Sequence, residues 1–169
     1  VFVDELQKQG VGATIKHFPG HGMVKGDTHK KLVFIDGEMT EVPNYKPFCD
    51  NSAIAVMVGH IAVQNNDKYG TNGLPSTVSR KIVTDLLRGE LGFNGIVVTD
   101  AMNMGGVRDI KDRSILALKA GCDILLMPYD IDADIQAIKA EMERDPEFAK
   151  QAEVSIRRII RYKVILGLL

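Results

Sequence analysis

The 169-residue sequence has few cysteines, no long apolar run and almost no net charge, and each of these limits what the protein does. The two cysteines, Cys49 and Cys122, lack the spacing of a metal site, so we expect two free, buried thiols. No apolar run approaches the roughly 18 residues that a membrane-spanning helix needs. A formal net charge of −1 gives no attraction to nucleic acid or to an anionic membrane. We therefore expect no nucleic-acid partner, no membrane span and no metal or other cofactor.

What the sequence does contain is typical of a globular domain. An apolar fraction of 45% and a charged fraction of 25% are ordinary values, and the length allows a substantial core. The chain begins at Val1, inside a predicted helix, rather than at a methionine. We expect the natural N-terminus to lie upstream, which leaves a signal peptide and the compartment open.

Chemistry-bearing residues concentrate in residues 13–32, with the sequence ATIKHFPGHGMVKGDTHKKL. Three of the four histidines lie here, and Lys16 and Asp27 accompany them. The segment also contains three glycines and a proline, which favour turns over a core helix or strand. Donors crowded together in an exposed loop indicate a site for an anion or a polar ligand. The histidines are His17, His21 and His29.

Apolar segments and helical periodicities alternate along the chain. Buried strands are predicted at residues 12–17, 53–63, 95–100 and 123–127, with a long loop at 18–44. Helices are predicted at residues 1–9, 45–52, 79–91, 113–120, 131–144 and 146–166. Strand followed by helix, four times, predicts an α/β fold of parallel strands joined by crossovers.

Polar residues follow the carboxyl end of each predicted strand. Lys16 and His17 follow the first, His60 lies in the second, Asp100 ends the third, and residues 128–130 follow the fourth. This placement is typical of a TIM (β/α)8 barrel, of which four βα units are half. A doubly wound open sheet would place ligands similarly, but no glycine-rich phosphate loop follows any strand. We therefore predict the C-terminal half of a TIM barrel.

Two features suit acid–base and nucleophilic chemistry. Asp100 ends the apolar segment GIVVTD, where a carboxylate is costly unless it is hydrogen-bonded or catalytic; the alternative is a helix N-cap. Asp27 and His29 are one residue apart, so a turn or an extended segment brings their side chains together. A carboxylate beside an imidazole fixes its tautomer and favours the imidazolium, although an Asx turn with a solvated histidine remains the alternative.

Four further residues are candidates for substrate binding. Lys16 and His17 offer donors suited to sugar hydroxyls, although Lys16 alternatively neutralises Asp100. His60 lies in an apolar run, where a satisfied core histidine is the favoured interpretation. Met102 suits a pocket wall or the core better than a chemical role.

Several motifs together resemble glycoside hydrolase family 3, and most closely its bacterial β-N-acetylglucosaminidases. The motifs are KHFPGHG, DTH, LPSTVSRKIVTDLLRGELGFNGIVVTDAMNMGGV and ALKAGCDILLMP, and the similarity covers residues 12–167. The resemblance implies a TIM barrel and retaining hydrolysis of terminal β-linked N-acetylglucosamine. It implies Asp100 as the nucleophile, and His29, oriented by Asp27, as the acid/base on a mobile loop. Lys16 and His17 correspond to residues that bind sugar hydroxyls.

The first half of the family's barrel, which adds an aspartate and an arginine to the sugar pocket, has no counterpart in this sequence. We therefore treat residues 1–169 as a partial catalytic barrel that needs the N-terminal half as its partner and is inactive, or nearly so, alone. The resemblance favours a cytoplasmic enzyme of peptidoglycan recycling. The aglycone remains open among a peptidoglycan fragment, a chitin oligomer and a glycan.

Other functions remain as alternatives. A phosphorolytic enzyme of the same family fits a histidine acid/base, because neutral imidazole repels phosphate less than a carboxylate does. A family β-glucosidase is less favoured, since such enzymes lack the D-x-H pair. A metal-dependent hydrolase would use His17, His21, Asp27 and His29, whose spacing matches no established ligand set. A non-catalytic half-barrel binding module is the last alternative.

Overall fold

Five short parallel strands form the centre of the fold in a computed structural model that describes residues 2–22, 24–50 and 54–169. Three of them form one parallel sheet in the order β1-β3-β5, and β2 pairs in parallel with β4 in a second, two-stranded sheet. The strands are β1 (Thr14–Phe18), β2 (Val33–Asp36), β3 (Ala55–Val58), β4 (Ile61–Gln64) and β5 (Ile96–Thr99).

Helices connect and cover these strands. They are α1 (Phe2–Lys8), α2 (Lys46–Asp50), a π-type helix (Lys81–Glu90), α3 (Arg113–Ala120), α4 (Ile131–Arg144) and α5 (Pro146–Ile165), with 3₁₀ turns at Val42–Tyr45 and Ser76–Val78. The π-type helix ends with an N–H of Leu91 donating to the carbonyl of Leu86, five residues back. Helix α5 begins where the Asp145 carboxylate accepts from the N–H groups of the first turn.

The main core lies between the three-stranded sheet and the π-type helix. The predicted apolar face of that helix is buried, with Ile82, Val83, Leu86 and Leu87 all in the core cluster. A smaller cluster lies under the segment that follows β5 and contains Val78, Met102, Val107 and Ala117. The prediction of an α/β fold with parallel strands and helical crossovers is confirmed.

The single strand predicted at residues 53–63 is wrong, because the structure has two strands there. The chain turns at Gly59 and His60, and β4 then leaves the sheet of β3 to pair with β2. Gly59 packs closely: a Cβ added to it would lie 3.2 Å from the Cβ of His17. The loop predicted at residues 18–44 likewise contains β2, a strand that is specified by its pairing with β4 rather than by its local sequence.

The strand predicted at residues 123–127 is reduced to one parallel bridge between Ile124 and Val98. Side chains replace backbone partners on both sides of this bridge: Oδ2 of Asp123 accepts the N–H of Val97 at 2.8 Å, and the N–H of Leu126 donates to Oγ1 of Thr99 at 3.0 Å. Backbone hydrogen bonds continue beyond the bridge, from Met102 N–H to Leu126 O at 2.9 Å. The segment therefore lies beside β5, as predicted, without forming a regular strand.

Three predicted boundaries lie outside the described residues: the start of the first helix at Val1, the end of the second at Ser52 and the start of a strand at Ala53.

Both cysteines are free thiols; Cys122 is buried, as predicted, whereas Cys49 is only partly buried. Burial raises the pKa of the Cys122 thiol to about 12. In the described part of the chain, every helix is too short or too polar to cross a membrane.

Candidate active site

A polar pocket of about 610 Å³ opens at the carboxyl ends of β1 and β5. Two of its walls come from these strand ends, and the third comes from the loop that precedes β2. Its lining residues are Lys16, His17, His21, Gly22, Gly26, Asp27, Thr28, His29 and Asp100. Five of the predicted site residues therefore lie around one cavity: Lys16, His17, Asp27, His29 and Asp100.

Lys16 and His17 lie in the part of β1 where the pairing with β3 is irregular, and both line the pocket. The register shifts between Ile15 and Phe18, so the two polar residues lie between the paired positions. Phe18 is buried and packs edge-on against the ring of Tyr45, 5.0 Å between ring centroids. This contact anchors the end of the strand and leaves Lys16 and His17 facing the cavity.

Asp100 lies directly after β5, with only 14% of its side chain exposed. Its backbone N–H donates to Val58 O at 2.9 Å, and its Oδ1 accepts from the N–H of Ala101. No described helix begins at Asp100, so the structure does not give it the role of an N-cap. The other carboxylate oxygen, Oδ2, lies 3.8 Å from Nε2 of His17 and is directed to the pocket side.

His17 is a neutral neighbour of this carboxylate. Burial lowers the pKa of His17, and the nearby charge of Lys16 acts in the same direction. Asp100 acts in the opposite direction and offsets part of the effect. Because 3.8 Å is too long for a hydrogen bond, Oδ2 of Asp100 stays available to a ligand.

Asp27 and His29 form a hydrogen-bonded pair on the facing loop. Nδ1 of His29 lies 2.9 Å from Oδ1 of Asp27, and the same oxygen accepts the backbone N–H of His29 at 3.0 Å. These two hydrogen bonds lower the pKa of Asp27, so the carboxylate remains ionised. An ionised carboxylate only accepts, so Nδ1 carries the hydrogen and Nε2 of His29 is left for a ligand. The exposed fractions, 78% for His29 and 47% for Asp27, leave the pair open to solvent.

Thr28 had no role in the sequence prediction of the site, and His21 was named there only in the histidine cluster and in the metal-dependent alternative. Thr28 is buried between Asp27 and His29, and its hydroxyl lies 3.4 Å from Nε2 of His21. His21 lies in turn against His17, 5.7 Å between ring centroids. The density of histidines in residues 13–32 was the only sequence signal for this contact.

His60 and Met102, which were candidates for substrate binding, lie behind the pocket and do not line it. The core interpretation favoured for His60 is the one that agrees with its position. Both are fully buried. Nε2 of His60 lies 2.9 Å from Ala101 O, and Nδ1 lies 2.7 Å from the hydroxyl of Thr77. Met102 packs in the smaller core cluster. Their contacts support the backbone next to Asp100 and leave no free polar atom for a sugar.

Within residues 2–22, 24–50 and 54–169, no three His, Cys, Asp or Glu side chains are grouped closely enough to hold a metal ion. What the pocket does offer is a carboxylate on one wall and a carboxylate–imidazole pair on another. Such a set can perform nucleophilic attack and proton transfer on one substrate. Parallel strands with this set at their carboxyl ends define an enzyme site of the (β/α)-barrel class.

Comparison with known proteins agrees with this class. Residues 1–162 match the profile of the glycosyl hydrolase family 3 N terminal domain, and the chain belongs to that family. It is 32% identical to the beta-N-acetylglucosaminidase/beta-glucosidase of Cellulomonas fimi, over 99% of this chain and 32% of that protein.

Solved structures of the family have the same fold. The beta-N-acetylhexosaminidase of Beutenbergia cavernae is 34% identical, with a TM-score of 0.86 over 96% of this chain and 50% of that one. A beta-glucoside phosphorylase is 25% identical, with a TM-score of 0.82 over 96% of this chain and 32% of that one. The fold is that of a partial TIM barrel, as the sequence predicted. The chain spans half or less of each of these relatives.

Proposed function

We propose that the full-length gene product containing these residues is a retaining glycoside hydrolase that removes terminal β-linked N-acetylglucosamine. Membership of glycosyl hydrolase family 3 supports the reaction class. The substrate is supported by the relatives from Cellulomonas fimi and Beutenbergia cavernae, which are named for hydrolysis of N-acetylated hexosamines. The single observation that carries the proposal is the 2.9 Å contact of His29 with Asp27 in the pocket that also contains Asp100.

In the first step Asp100 is the nucleophile. Its carboxylate oxygen bonds to the anomeric carbon while the bond from that carbon to the aglycone oxygen breaks. The departing oxygen takes the Nε2 proton of the His29 imidazolium, so a neutral alcohol leaves. Asp27 accepts the Nδ1 hydrogen throughout and holds the ring in one orientation.

In the second step water replaces the aglycone. Neutral His29 takes a proton from the water at Nε2, and the water oxygen bonds to the anomeric carbon. The ester bond to Asp100 breaks, which restores both the carboxylate and the imidazolium. Two inversions give net retention of the anomeric configuration. The usual carboxylate separation of about 5–5.5 Å does not apply, because an imidazole replaces the second carboxylic acid.

Lys16 and neutral His17 would bind the sugar hydroxyls beside the nucleophile. Lys16 is exposed in the pocket and its ammonium group has three donors. His17 lies against Asp100 and, as a neutral ring, offers a donor and an acceptor. Both are carried on β1, a strand of the central sheet, which keeps them in a fixed relation to β5 and Asp100.

The test is the substitution Asp100→Asn in the full-length gene product, assayed with a chromogenic β-N-acetylglucosaminide. We expect kcat to fall by at least about 1,000-fold, because an amide cannot form the ester intermediate. The exposed Asp67→Asn is the matched control and keeps full activity. Unchanged cleavage by a folded Asp100→Asn variant would exclude the proposal.

Phosphorolysis is a second candidate, and the beta-glucoside phosphorylase structure is the observation that favours it. The pocket contains Lys16 and three histidines, which suit an anionic acceptor. The two reactions differ in product, since phosphate attack on the ester at Asp100 gives a sugar 1-phosphate instead of the free sugar. Product analysis with and without inorganic phosphate therefore distinguishes them, and we expect free N-acetylglucosamine in both cases.

We further propose that residues 1–169 need the N-terminal half of a barrel as their partner. The supporting observation is the sheet itself. In the described part of the chain, β1 has a strand neighbour only on its β3 side. The pocket is open, and the acid/base pair is largely exposed. Closure by further βα units would remove water from the reacting groups.

A further inference from the structure

Two consecutive glycines after β5 bind the backbone of the loop that carries His29. The N–H of Gly105 donates to the carbonyl of His29 at 2.9 Å, and the N–H of Gly106 donates to the carbonyl of Thr28 at 3.1 Å. The loop residues are therefore tied, at the backbone of the proposed acid/base itself, to the segment that begins with the proposed nucleophile.

The contact is too close for any side chain. A Cβ added to Gly105 would lie 2.2 Å from the carbonyl oxygen of Lys30 and 2.9 Å from that of His29. A Cβ on Gly106 would lie 2.8 Å from the Cβ of His60. Neither glycine has a left-handed φ, so what requires glycine here is space and not backbone conformation.

The segment that bears the glycines is itself fixed. The N–H of Met104 donates to Ala101 O at 3.0 Å, and Met102, Met104 and Val107 are buried. His60 supports the same segment through its 2.9 Å contact with Ala101 O. Asp100 and Gly105 thus lie in one short segment that these contacts hold together, so a movement of the loop relative to Gly105 also moves His29 relative to Asp100.

We propose that Gly105 and Gly106 form a backbone latch that sets the position of His29 relative to Asp100. This inference rests on the proposed function, because it assigns the latch to the acid/base step. The side chains of Asp27 and His29 are exposed, whereas Thr28, whose carbonyl the latch binds, is buried. The latch therefore binds the loop at Thr28, the buried residue between the two exposed members of the pair. Gly105 and Gly106 are positioning residues and touch no reacting atom.

A positioning role has a kinetic consequence that general destabilisation lacks. Displacing His29 weakens proton donation to the aglycone, which matters for a poor leaving group such as a sugar. A 2,4-dinitrophenyl aglycone leaves without protonation, so its kcat/KM is insensitive to His29. Loss of folded protein, in contrast, lowers kcat/KM for both substrates by the same factor.

The experiment compares Gly105→Ala with Gly89→Ala in the full-length gene product. Gly89 lies in the π-type helix, where an added Cβ would meet only Thr84 O at 3.4 Å, an ordinary contact. For Gly105→Ala we expect kcat/KM with a disaccharide substrate to fall about 100-fold, within the range for acid–base catalysis, and the dinitrophenyl substrate to change far less. The Gly89→Ala control should leave both values unchanged. An equal loss on both substrates, or no loss, would overturn the latch.

Two reference variants separate failure of the latch from failure of the proposed function. His29→Ala should give the same leaving-group dependence as Gly105→Ala, and Asp100→Asn should inactivate the enzyme on both substrates. If His29→Ala lacks that dependence, the proposed acid/base role and the latch's part in it both fail. If His29→Ala shows the leaving-group dependence and Gly105→Ala does not, only the latch fails.

Amide hydrogen exchange provides a measurement that needs no variant. The N–H groups of Gly105 and Gly106 should exchange slowly in the unmodified full-length gene product, because both donate to carbonyls of the loop. If Gly105→Ala does not fold, this measurement decides alone. Slow exchange supports the latch, and exchange at the rate of free peptide would contradict it.

Discussion

At the scale of single residues, His60 is the histidine whose chemistry the fold fixes most completely. Since the carbonyl of Ala101 only accepts, Nε2 of His60 carries the hydrogen. In the neutral ring Nδ1 is an acceptor that shares the single hydrogen of the Thr77 hydroxyl with Gly59 O. Burial lowers the pKa of His60, which agrees with this neutral form, although the Ala101 carbonyl acts in the opposite direction. The hydrogen bond from Nε2 of His60 to Ala101 O supports the backbone beside Asp100, and burial favours the neutral ring.

Stability should fall as the pH is lowered, because the pKa values of His60 and His17 are both lower in the folded protein. The unfolded chain, with histidine pKa values near 6.5, then binds more protons than the native state below about pH 6.5. The contribution of these two histidines to the free energy of unfolding is thus fully present above that pH and declines below it. The measurement is urea unfolding of the full-length gene product from pH 7.5 to pH 5.

His60→Gln should flatten this pH dependence, since glutamine keeps a donor and an acceptor but does not titrate. The variant should also be less stable at pH 7.5, by about 1–3 kcal/mol, if either buried partner is left unsatisfied. A pH dependence as steep as that of the unmodified protein would contradict the neutral, buried state of His60.

Asp27→Asn tests the pair at the pocket. The amide oxygen still accepts from Nδ1 of His29, but the negative charge beside the ring is lost. We expect kcat/KM with a disaccharide substrate to fall about 10- to 100-fold, with a smaller effect on a 2,4-dinitrophenyl glycoside. Asp67→Asn on the exposed loop is the control. Equal losses on both substrates would contradict an acid/base role for the pair.

At the scale of elements, β5 is held in place by the buried carboxylate of Asp123. Its oxygens accept from Arg88 at 2.6 Å and Arg158 at 3.0 Å, as well as from the N–H of Val97. The π-type helix, α5 and β5 therefore meet at one side chain that is fully buried. Burial lowers the pKa of Arg88, and the charge of Asp123 opposes this.

Asp123→Asn should destabilise the protein by about 3–5 kcal/mol, because it leaves two largely buried guanidinium groups without their common counter-ion. Chemical denaturation of the full-length gene product measures this, with the exposed Asp67→Asn as the control for a change of charge alone. A loss as small as that of the control would contradict the central place of Asp123 in the packing.

The sequence predicted the elements best where the pattern was long and local. The helices at Arg113–Ala120 and Ile131–Arg144 have the predicted bounds, and Gly121 ends the first of them with φ of 114°. Strand β2 was missed because its pairing with β4 is not a local property. The strand predicted at 123–127 was shortened because the side chains of Asp123 and Thr99 accept backbone N–H groups that a regular strand pairing would bond to carbonyls.

At the scale of the whole molecule, the described chain exposes apolar side chains on its two C-terminal helices. Exposed positions on α4 and α5 include Ile131, Ile135, Val154, Ile156, Ile160 and Val164. Apolar surface of this extent is typical of an interface with further structure.

Residues 1–169 expressed alone should therefore be inactive, or nearly so, and should self-associate. The measurements are light scattering and the assay with a β-N-acetylglucosaminide. The full-length gene product, at equal concentration, is the control and should be active. Full activity of a monomeric 169-residue chain would contradict the need for a second half-barrel.

The candidate site was predictable in part, because its residues lie at the ends of apolar segments or in one dense loop. The sequence predicted one site formed by five residues, and in the structure all five line one pocket. They are Lys16, His17, Asp27, His29 and Asp100. It kept His60 and Met102 as candidates for substrate binding, although it favoured a core position for His60, and both are buried behind the pocket. Nor did it reveal the contact of Gly105 with His29, which joins segments over 70 residues apart.

Trapping of the covalent intermediate tests the central claim most directly. The full-length gene product is incubated with a 5-fluoro glycosyl fluoride of the N-acetylglucosamine configuration, digested and analysed by peptide mass spectrometry. We predict one sugar per protein, attached as an ester to Asp100 in the peptide that contains GIVVTDAM. A sugar ester on another carboxylate, or turnover of the reagent with inversion and no covalent adduct, would contradict the account.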